Sequence, residues 1–369
     1  MEILRVVSDI YPHVVGGLGI HAHELSKYQV RHGHNVCVYT TIDNNNFIKK
    51  INYDYRLENY SPIVNILGNS IAPQMFFSIF KNRNKYDIIH AHSHLFFSTN
   101  LCSFIRKMGS SPLIITNHGL NSASSPKFIQ YIYTNSGTKT TLNAADKIIC
   151  YSKIEKNKLI KINIPSDKIE IIHNGVNSDI FKPIDNKNKS NNILNILWIG
   201  RFVKGKGLIY LIYAIKLLSD NNLDFHLTMI GEGPDKLRII NMIAKFNLSN
   251  RVSILNYVSN IDISSYYQNS DIFVLPSLEE GIPRTILEAM SCGIPVLCSD
   301  LPQLIELIDK CGFVFPKKDY ISLAKKIKII INNPSLAKKM GKNGRKKILK
   351  YYSWDDTVKR TLKLYEQIL

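Results

Sequence analysis

No apolar run in this 369-residue chain approaches the roughly 20 residues that a membrane-spanning helix needs. The N-terminus opens on a strand pattern (Ile3, Leu4, Val6, Val7), without the basic, apolar and small-residue regions of a signal peptide. A soluble chain made in the cytosol is expected. There are only six cysteines (Cys37, Cys102, Cys150, Cys292, Cys298, Cys311), and no two have metal-ligand spacing. Buried reduced thiols are expected, with no structural zinc. A composition of 45% hydrophobic and 21% charged residues, without a low-complexity block, excludes a disordered chain. Also lacking is a full Gly-x-Gly-x-x-Gly fingerprint. Gly16-Gly17-Leu18-Gly19 follows the first strand, yet the second strand ends at Thr40-Thr41 with Asp43 the nearest acid. A nicotinamide-dependent oxidoreductase needs both the fingerprint and its acidic partner.

Acids are scarce: 29 Asp and Glu stand against 47 Lys and Arg, a net charge of +18. The excess is densest from Lys317 to Lys350, with twelve basic residues against the single acid Asp319. Such a run is a solvated helix face, or it attracts anionic lipid or phosphorylated substrates. Tyr351 and Tyr352 lie beside it and are not interleaved with it, so nucleic acid is not an expected partner.

The length suits two α/β domains. In the first half, short β-branched runs (Ile3–Val7, Val36–Thr40, Asp87–Ala91, Leu113–Asn117, Lys147–Tyr151, Ile169–His173) alternate with amphipathic stretches such as Ile20–His32. This pattern predicts βαβ units and a parallel sheet. A polar segment, Asp185-Asn-Lys-Asn-Lys-Ser-Asn-Asn192, cannot bury a face and reads as a linker. The alternation then resumes at Ile193–Ile199, His226–Ile230, Val252–Leu255, Ile272–Leu275, Val296–Cys298 and Gly312–Phe315. Helical patterns cover Gly207–Leu218, Asp235–Phe246 and Arg284–Ser291, and two further helices, Pro334–Tyr351 and Trp354–Leu369, close the chain. The division expected is 1–173, a linker at 174–192, and 193–353.

In doubly wound sheets ligands bind outside the carboxyl ends of the strands, and the candidate chemistry lies there. Gly200-Arg-Phe-Val-Lys-Gly-Lys-Gly207 follows a strand and turns into a helix. Arg201, Lys206 and the helix N–H groups suit a diphosphate, although a solvated basic turn has the same composition. In Glu279-Glu-Gly-Ile-Pro-Arg-Thr-Ile-Leu-Glu-Ala-Met290, the carboxylates of Glu280 and Glu288 can each accept two hydroxyl hydrogen bonds from a ribose or a sugar. Pro283 cannot donate, so amide contacts fall to Gly281, Ile282, Arg284 and Thr285. Helix capping accounts equally for Glu279 and Glu280 but leaves Glu288, flanked by apolar residues, unexplained. His90, His92 and His94 alternate as a metal set would, yet no carboxylate or cysteine accompanies them and no metal site is assigned. His118, at the next strand end beside Gly119, is a polar group for the cleft or a structural histidine. His173-Asn-Gly-Val-Asn177 is a turn and a hinge candidate.

In this order the signals resemble glycosyltransferase family 4, with its GT-B fold, along the whole chain. The matching pieces are Gly16-Gly17, Asp87-Ile-Ile-His-Ala-His92, His118-Gly119, Asn174-Gly-Val-Asn177, Gly200-Arg201 with Lys206-Gly207, Gly231-Glu-Gly-Pro234, the Glu280/Glu288 motif and Ser353-Trp354. The resemblance implies two Rossmann-like domains facing a central cleft, with the helix at 354–369 packing back on the first domain. Arg201 and Lys206 would bind the donor diphosphate, Glu288 the ribose hydroxyls, and Glu280 the transferred sugar. His118 would face the reacting sugar, and Gly16 and Gly17 would let phosphates and acceptor approach the backbone. It implies transfer from a nucleotide-diphosphate sugar to a hydroxyl of a glycan or lipid-linked acceptor, in cell-envelope or glycan biosynthesis. Anomeric configuration would be retained, with neither metal nor cofactor. The chain departs from the family at Asn177, at Pro302-Gln303 and at Gly281-Ile-Pro283. A sugar-nucleotide epimerase of the same architecture and a non-catalytic sugar- or lipid-binding protein are the alternatives. The basic surface and the stretch Met75-Phe-Phe-Ser-Ile-Phe-Lys-Asn-Arg-Asn-Lys85 add an expected partner, an anionic membrane surface. The expected location is cytoplasmic, peripheral on the inner face of the cell membrane.

Overall fold

A computed structural model describes residues 1–14, 16–43, 51–66, 68–120, 137–184, 193–256, 258–259 and 262–369. The polar linker segment 185–192 and part of the loop 256–260 lie outside the described residues. The chain divides into two compact units, Met1–Gly175 with Trp354–Leu369, and Val176–Ser353.

The first unit is built on strands β1 (Glu2–Val6), β2 (Asn35–Thr40), β3 (Arg56–Asn59), β6 (Ile88–His92), β7 (Leu113–Thr116), β8 (Lys147–Cys150) and β9 (Ile169–Ile171). All are parallel, in the order β3-β2-β1-β6-β7-β8-β9. Strands β4 (Val64–Ile66) and β5 (Asn69–Ile71) form a separate antiparallel hairpin. The winding of the sheet reverses between β1 and β6, which makes the carboxyl ends of those two strands the place for a ligand.

Strand side chains alternate between faces. Ile3, Val7, Ile88, Ile114 and Ile149 join one apolar cluster, together with Leu25 of the helix Gly17–Arg31 and with Trp354, Val358 and Tyr365 of the helix Trp354–Glu366. Leu4, Val6, Ile89, Ala91, Ile115 and Ile148 join another, with Met75 and Ile79 of the helix Pro73–Lys81. The alternation that makes the sheet two-sided also places Arg5, His90, His92 and Thr116 on the first face, where all four are fully buried. Polar residues thus stand where the pattern calls for Ile or Val.

The second unit has six parallel strands, β10 (Leu194–Ile199), β11 (Phe225–Ile230), β12 (Val252–Leu255), β13 (Ile272–Leu275), β14 (Val296–Ser299) and β15 (Gly312–Phe315). Their order is β12-β11-β10-β13-β14-β15. Counted within the unit this is 3-2-1-4-5-6, the Rossmann order, with its reversal between β10 and β13. One contiguous cluster, from Val176 to Tyr352, fills both faces.

Most boundaries agree with the sequence pattern to within two residues. Strand β3 and the hairpin were not anticipated. Arg-Leu-Glu-Asn, the sequence of β3, contributes only Leu57 to the apolar cluster, as an edge strand can, and β4 is exposed throughout. All six cysteines are free and buried.

Candidate active site

In the second unit, strand β10 ends at Ile199 and the chain turns through Gly200, Arg201 and the 3-10 turn Lys204–Lys206 into the helix Leu208–Asp220. Gly207 joins turn to helix at φ +64°, and a Cβ there would stand 2.0 Å from the Pro276 carbonyl oxygen. Only glycine lets the basic turn lie this close to the end of β13. The Leu278 amide donates to the Gly205 carbonyl at 2.8 Å, tying the two loops together.

That contact brings two of the predicted charges, Lys206 and Glu280, together. Lys206 Nζ lies 2.5 Å from Glu280 Oε1, and the Ser277 hydroxyl donates to the same oxygen at 2.6 Å. Gln303 Nε2 donates to the Glu280 carbonyl at 2.5 Å. Arg201 is exposed and makes no ion pair among the described residues. The helix Arg284–Ser291 starts after Pro283 with no side-chain cap, so its first amides have no intrahelical partner. Glu288 sits one turn in and is buried. Its Oε2 accepts from Tyr267 Oη at 2.8 Å, and its Oε1 lies 3.3 Å from Arg284 Nη2. Each carboxylate oxygen has a second lone pair, so both contacts leave acceptor capacity for a hydroxyl. Gly281 is exposed, while Ile282 packs against the core.

In the first unit, Gly16 caps the helix Gly17–Arg31. A Cβ on Gly16 or Gly17 would meet no atom within 4 Å among the described residues, so internal packing does not require glycine there. Glycine at both positions leaves the helix start open to an incoming group.

His118 follows β7. Its Nε2 lies 3.2 Å from His92 Nδ1 and its Nδ1 3.2 Å from Tyr151 Oη. Behind His92 is Arg5, fully buried, whose Nη1 donates to His92 Nε2 at 2.8 Å and to His90 Nδ1 at 3.2 Å. Arg5 Nε donates to Ser26 Oγ at 2.7 Å, and its other terminal nitrogen donates to Gln29 Oε1. No carboxylate bonds this guanidinium among the described residues. Burial pushes the imidazoles of His90, His92 and His118 well below the usual histidine range. Arg5 adds to that at His90 and His92, and His21 adds to it at His118.

The His90, His92 and His94 alternation does not converge on a metal. His90 turns to Thr116 Oγ1 at 2.7 Å and Tyr365 Oη at 2.5 Å, while His94 lies 3.1 Å from Asn117 Oδ1. A different trio, His21, His92 and His118, has ring nitrogens within 4.8 Å of one another. A cation fits it badly, because Arg5 occupies the His92 Nε2 lone pair and the neutral ring then carries its proton on Nδ1. Arg5, His21, Tyr151, Tyr267 and Ser277 were not singled out from sequence, and Gln303 only as a departure from the family. His92 carried a signal there, but as a possible metal ligand.

A paired Rossmann-like fold with a basic turn and two carboxylates at the carboxyl edge of the second sheet defines a glycosyltransferase of the GT-B class. Residues 178–347 match the family described as glycosyl transferases group 1, and residues 15–180 match glycosyltransferase family 4. The chain belongs to this family of glycosyltransferases. It is 29% identical to an uncharacterized glycosyltransferase of Methanocaldococcus jannaschii, over 100% of this chain and 99% of the relative. It is 25% identical to the gpi3 subunit of phosphatidylinositol N-acetylglucosaminyltransferase of Schizosaccharomyces pombe, over 98% of this chain and 80% of that protein. Among solved structures it is similar to sucrose-phosphate synthase from Thermosynechococcus elongatus (TM-score 0.85, 22% identity, 100% and 99% covered). It is also similar to Anabaena HepE in complex with UDP (TM-score 0.83, 18% identity, both chains fully covered).

Proposed function

We propose that this glycosyltransferase moves a sugar from a nucleotide-diphosphate donor to a hydroxyl of a glycan or lipid-linked acceptor, with retention of anomeric configuration and without a metal. The observation that carries this reading is the grouping of Lys206, Glu280 and the uncapped start of the helix Arg284–Ser291 at the edge where β10 and β13 diverge. A leaving diphosphate gains negative charge as its bond to the sugar breaks, and fixed positive groups stabilise that charge as it develops. In this reading Arg201, Lys206 and the amides of Gly281, Ile282, Arg284 and Thr285 hold the diphosphate. Glu288 takes the ribose hydroxyls and Glu280 the transferred sugar, while His118 faces that sugar and Gly16 and Gly17 admit phosphates and acceptor. The UDP bound by HepE and the phosphatidylinositol in the name of the S. pombe relative support a uridine donor and a lipid-linked acceptor.

The first unit also offers a surface suited to an anionic membrane. Phe77 of the helix Pro73–Lys81 is 68% exposed and Phe104 of the helix Phe97–Arg106 is 58% exposed, and both helices pack around Phe76. Exposed Ile63, Val64 and Ile66 continue the patch on the hairpin, which Asn69 ties to Leu95 and Phe97. Lys81 and Lys107 stand at the C-terminal ends of these two helices and Arg83 stacks on Phe80, and each cation near an anionic surface contributes about 1 kcal/mol. In this reading the enzyme works at the inner face of the cell membrane. Flotation with anionic vesicles at low and high salt tests this, and absence from the lipid fraction at both contradicts it.

The donor site is tested by thermal stabilisation with UDP, GDP, ADP and their sugars, then by product analysis with an acceptor and without one. Arg201→Ala should weaken nucleotide binding about ten- to a hundred-fold, as loss of a charge-assisted contact does. Glu288→Ala should also weaken binding. A folded set of variants with parental kinetics, or an epimerised donor formed without acceptor, contradicts the proposal.

A further inference from the structure

We propose that Arg5 and His92 are positioning residues that hold His118 as a neutral imidazole with its proton on Nδ1. The inference rests on the reading above, in which His118 faces the transferred sugar, and it names what controls the state of that ring.

The argument needs only donors and acceptors. A guanidinium has five N–H donors and no acceptor. His92 Nε2, 2.8 Å from Arg5 Nη1, must therefore offer a lone pair. A neutral imidazole that accepts at one nitrogen carries its proton on the other, so His92 Nδ1 is an N–H. It points at His118 Nε2 from 3.2 Å, and that nitrogen must accept in turn. The His118 proton is left on Nδ1; the Tyr151 hydroxyl lies 3.2 Å from Nδ1 and 3.4 Å from Nε2, so the His92 contact and not Tyr151 sets the tautomer. The same logic fixes His90, which accepts from Arg5 at Nδ1 and donates from Nε2 to Thr116 Oγ1 at 2.7 Å. The hydrogen bonds run one way, outward from Arg5.

The cost of this arrangement points to use. A fully buried cation without a carboxylate loses hydration that neutral partners replace only in part. An Ile at position 5 would continue the pattern of Ile3 and Val7 without that loss. The charge also makes protonation of His90 and His92 unfavourable. Among the described residues, the groups packed on His118 act in the same sense or are neutral. His21 from the helix Gly17–Arg31 stacks edge-on at 5.3 Å between ring centroids, His92 lies at 5.5 Å and Tyr151 at 5.5 Å. Arg5, His90 and Tyr365 stand behind His92, and His173 bonds the Tyr151 carbonyl. None of these is an acid that would draw a proton to His118. A neutral ring matters there because glycosyl transfer builds positive charge on the sugar ring, and an imidazolium beside it would oppose that charge.

Nitrogen-15 NMR of histidine-labelled protein tests this, with the His118 signals assigned by their loss in His118→Gln. The expected parent spectrum shows His118 protonated at Nδ1 and unchanged as pH falls past about 6.5, the usual histidine value. In His92→Leu the ring should shift towards the Nε2–H form and take up a proton at a higher pH than in the parent, because the Nε2 lone pair loses its donor. Its kcat/KM should then show an acid limb at a higher pH than the parent's. His92→Asn, which keeps an N–H near the Nδ1 position, should restore both the parental tautomer and the parental pH profile. A parent His118 protonated on Nε2, or titrating in the usual range, overturns the proposal. So does a His92→Leu enzyme whose activity falls equally at every pH with the His118 spectrum unchanged. If the ring state is as stated but His118→Gln transfers sugar as well as the parent does, the role of His118 in transfer fails and the hydrogen-bond chain stands.

Discussion

Replacing Glu280 by Gln should make the enzyme a better nucleotide binder and a worse catalyst. The Lys206 ammonium is held by the Glu280 carboxylate at 2.5 Å, with the two side chains 24% and 10% exposed. A donor diphosphate needs that same ammonium, so binding replaces one anion by another. A partly exposed pair of this kind is worth up to about 1 kcal/mol. Gln keeps the shape and the Ser277 contact but releases Lys206, and affinity for the nucleoside diphosphate should rise by up to about fivefold. Lys206→Met acts in the opposite direction. It removes a charge-assisted contact worth about 1.5–3 kcal/mol to the ligand, so affinity should fall about ten- to a hundred-fold. Stability should hardly change, because Glu280 keeps its Ser277 partner and some access to water. Calorimetric titration of both variants with the diphosphate chosen by thermal shift, beside turnover of the matching donor sugar, measures the two effects. Glu280→Gln should bind as well as or better than the parent and transfer more slowly. Two variants that weaken binding alike would refute the idea of competition for one ammonium.

The buried histidines make stability depend on pH. His90 and His92, both fully buried, have folded pKa values below their unfolded ones. The unfolded chain therefore binds more protons, and stability is complete above about pH 6.5 and lost as pH falls below it. Each group contributes about 1.4 kcal/mol per pH unit once its unfolded imidazole is protonated, so urea midpoints should drop steeply between pH 6.5 and 5. A flat profile there would show that these rings titrate in the fold as they do in the unfolded chain. Gly207→Ala places a side chain at φ +64° against the Pro276 carbonyl. It should cost at least the roughly 1–3 kcal/mol of a left-handed non-glycine residue and weaken diphosphate binding as the Lys206 turn shifts. Parental values in urea unfolding and titration would contradict this. Trp354→Ala removes a fully buried ring from the cluster of the first unit. A loss of about 3–5 kcal/mol is expected, read as a lower urea midpoint, and an unchanged midpoint would contradict the packing.

The fold was legible because its strands are β-branched runs closed by glycine or polar turns. Ile272–Leu275 and Val252–Leu255 could be bounded from the sequence to the residue. What escaped lies where side chains carry little pattern. Strand β3 has only Leu57 to mark it, and in the helix Phe97–Arg106 the apolar Phe97, Leu101, Phe104 and Ile105 are separated by Ser, Thr, Asn and Cys, which have weak helical preference. The basic turn and the Glu280/Glu288 motif could be found because each follows a strand directly, at a fixed spacing. Arg5 could not. In a strand read as Ile3, Leu4, Val6 and Val7 a basic residue passes for an interruption, and only the register of β1 with β6 brings it level with His90. Gln303 stood out only as a departure from the family and Tyr267 not at all, and their roles become visible through what they bond, the Glu280 carbonyl and the Glu288 carboxylate.

A crystal structure of the chain with its nucleoside diphosphate tests the central claim most directly. The phosphates should lie within hydrogen-bond distance of Arg201, Lys206 and the first amides of the helix Arg284–Ser291, with Lys206 withdrawn from Glu280. A diphosphate bound elsewhere, with the Lys206–Glu280 pair intact, would contradict the account.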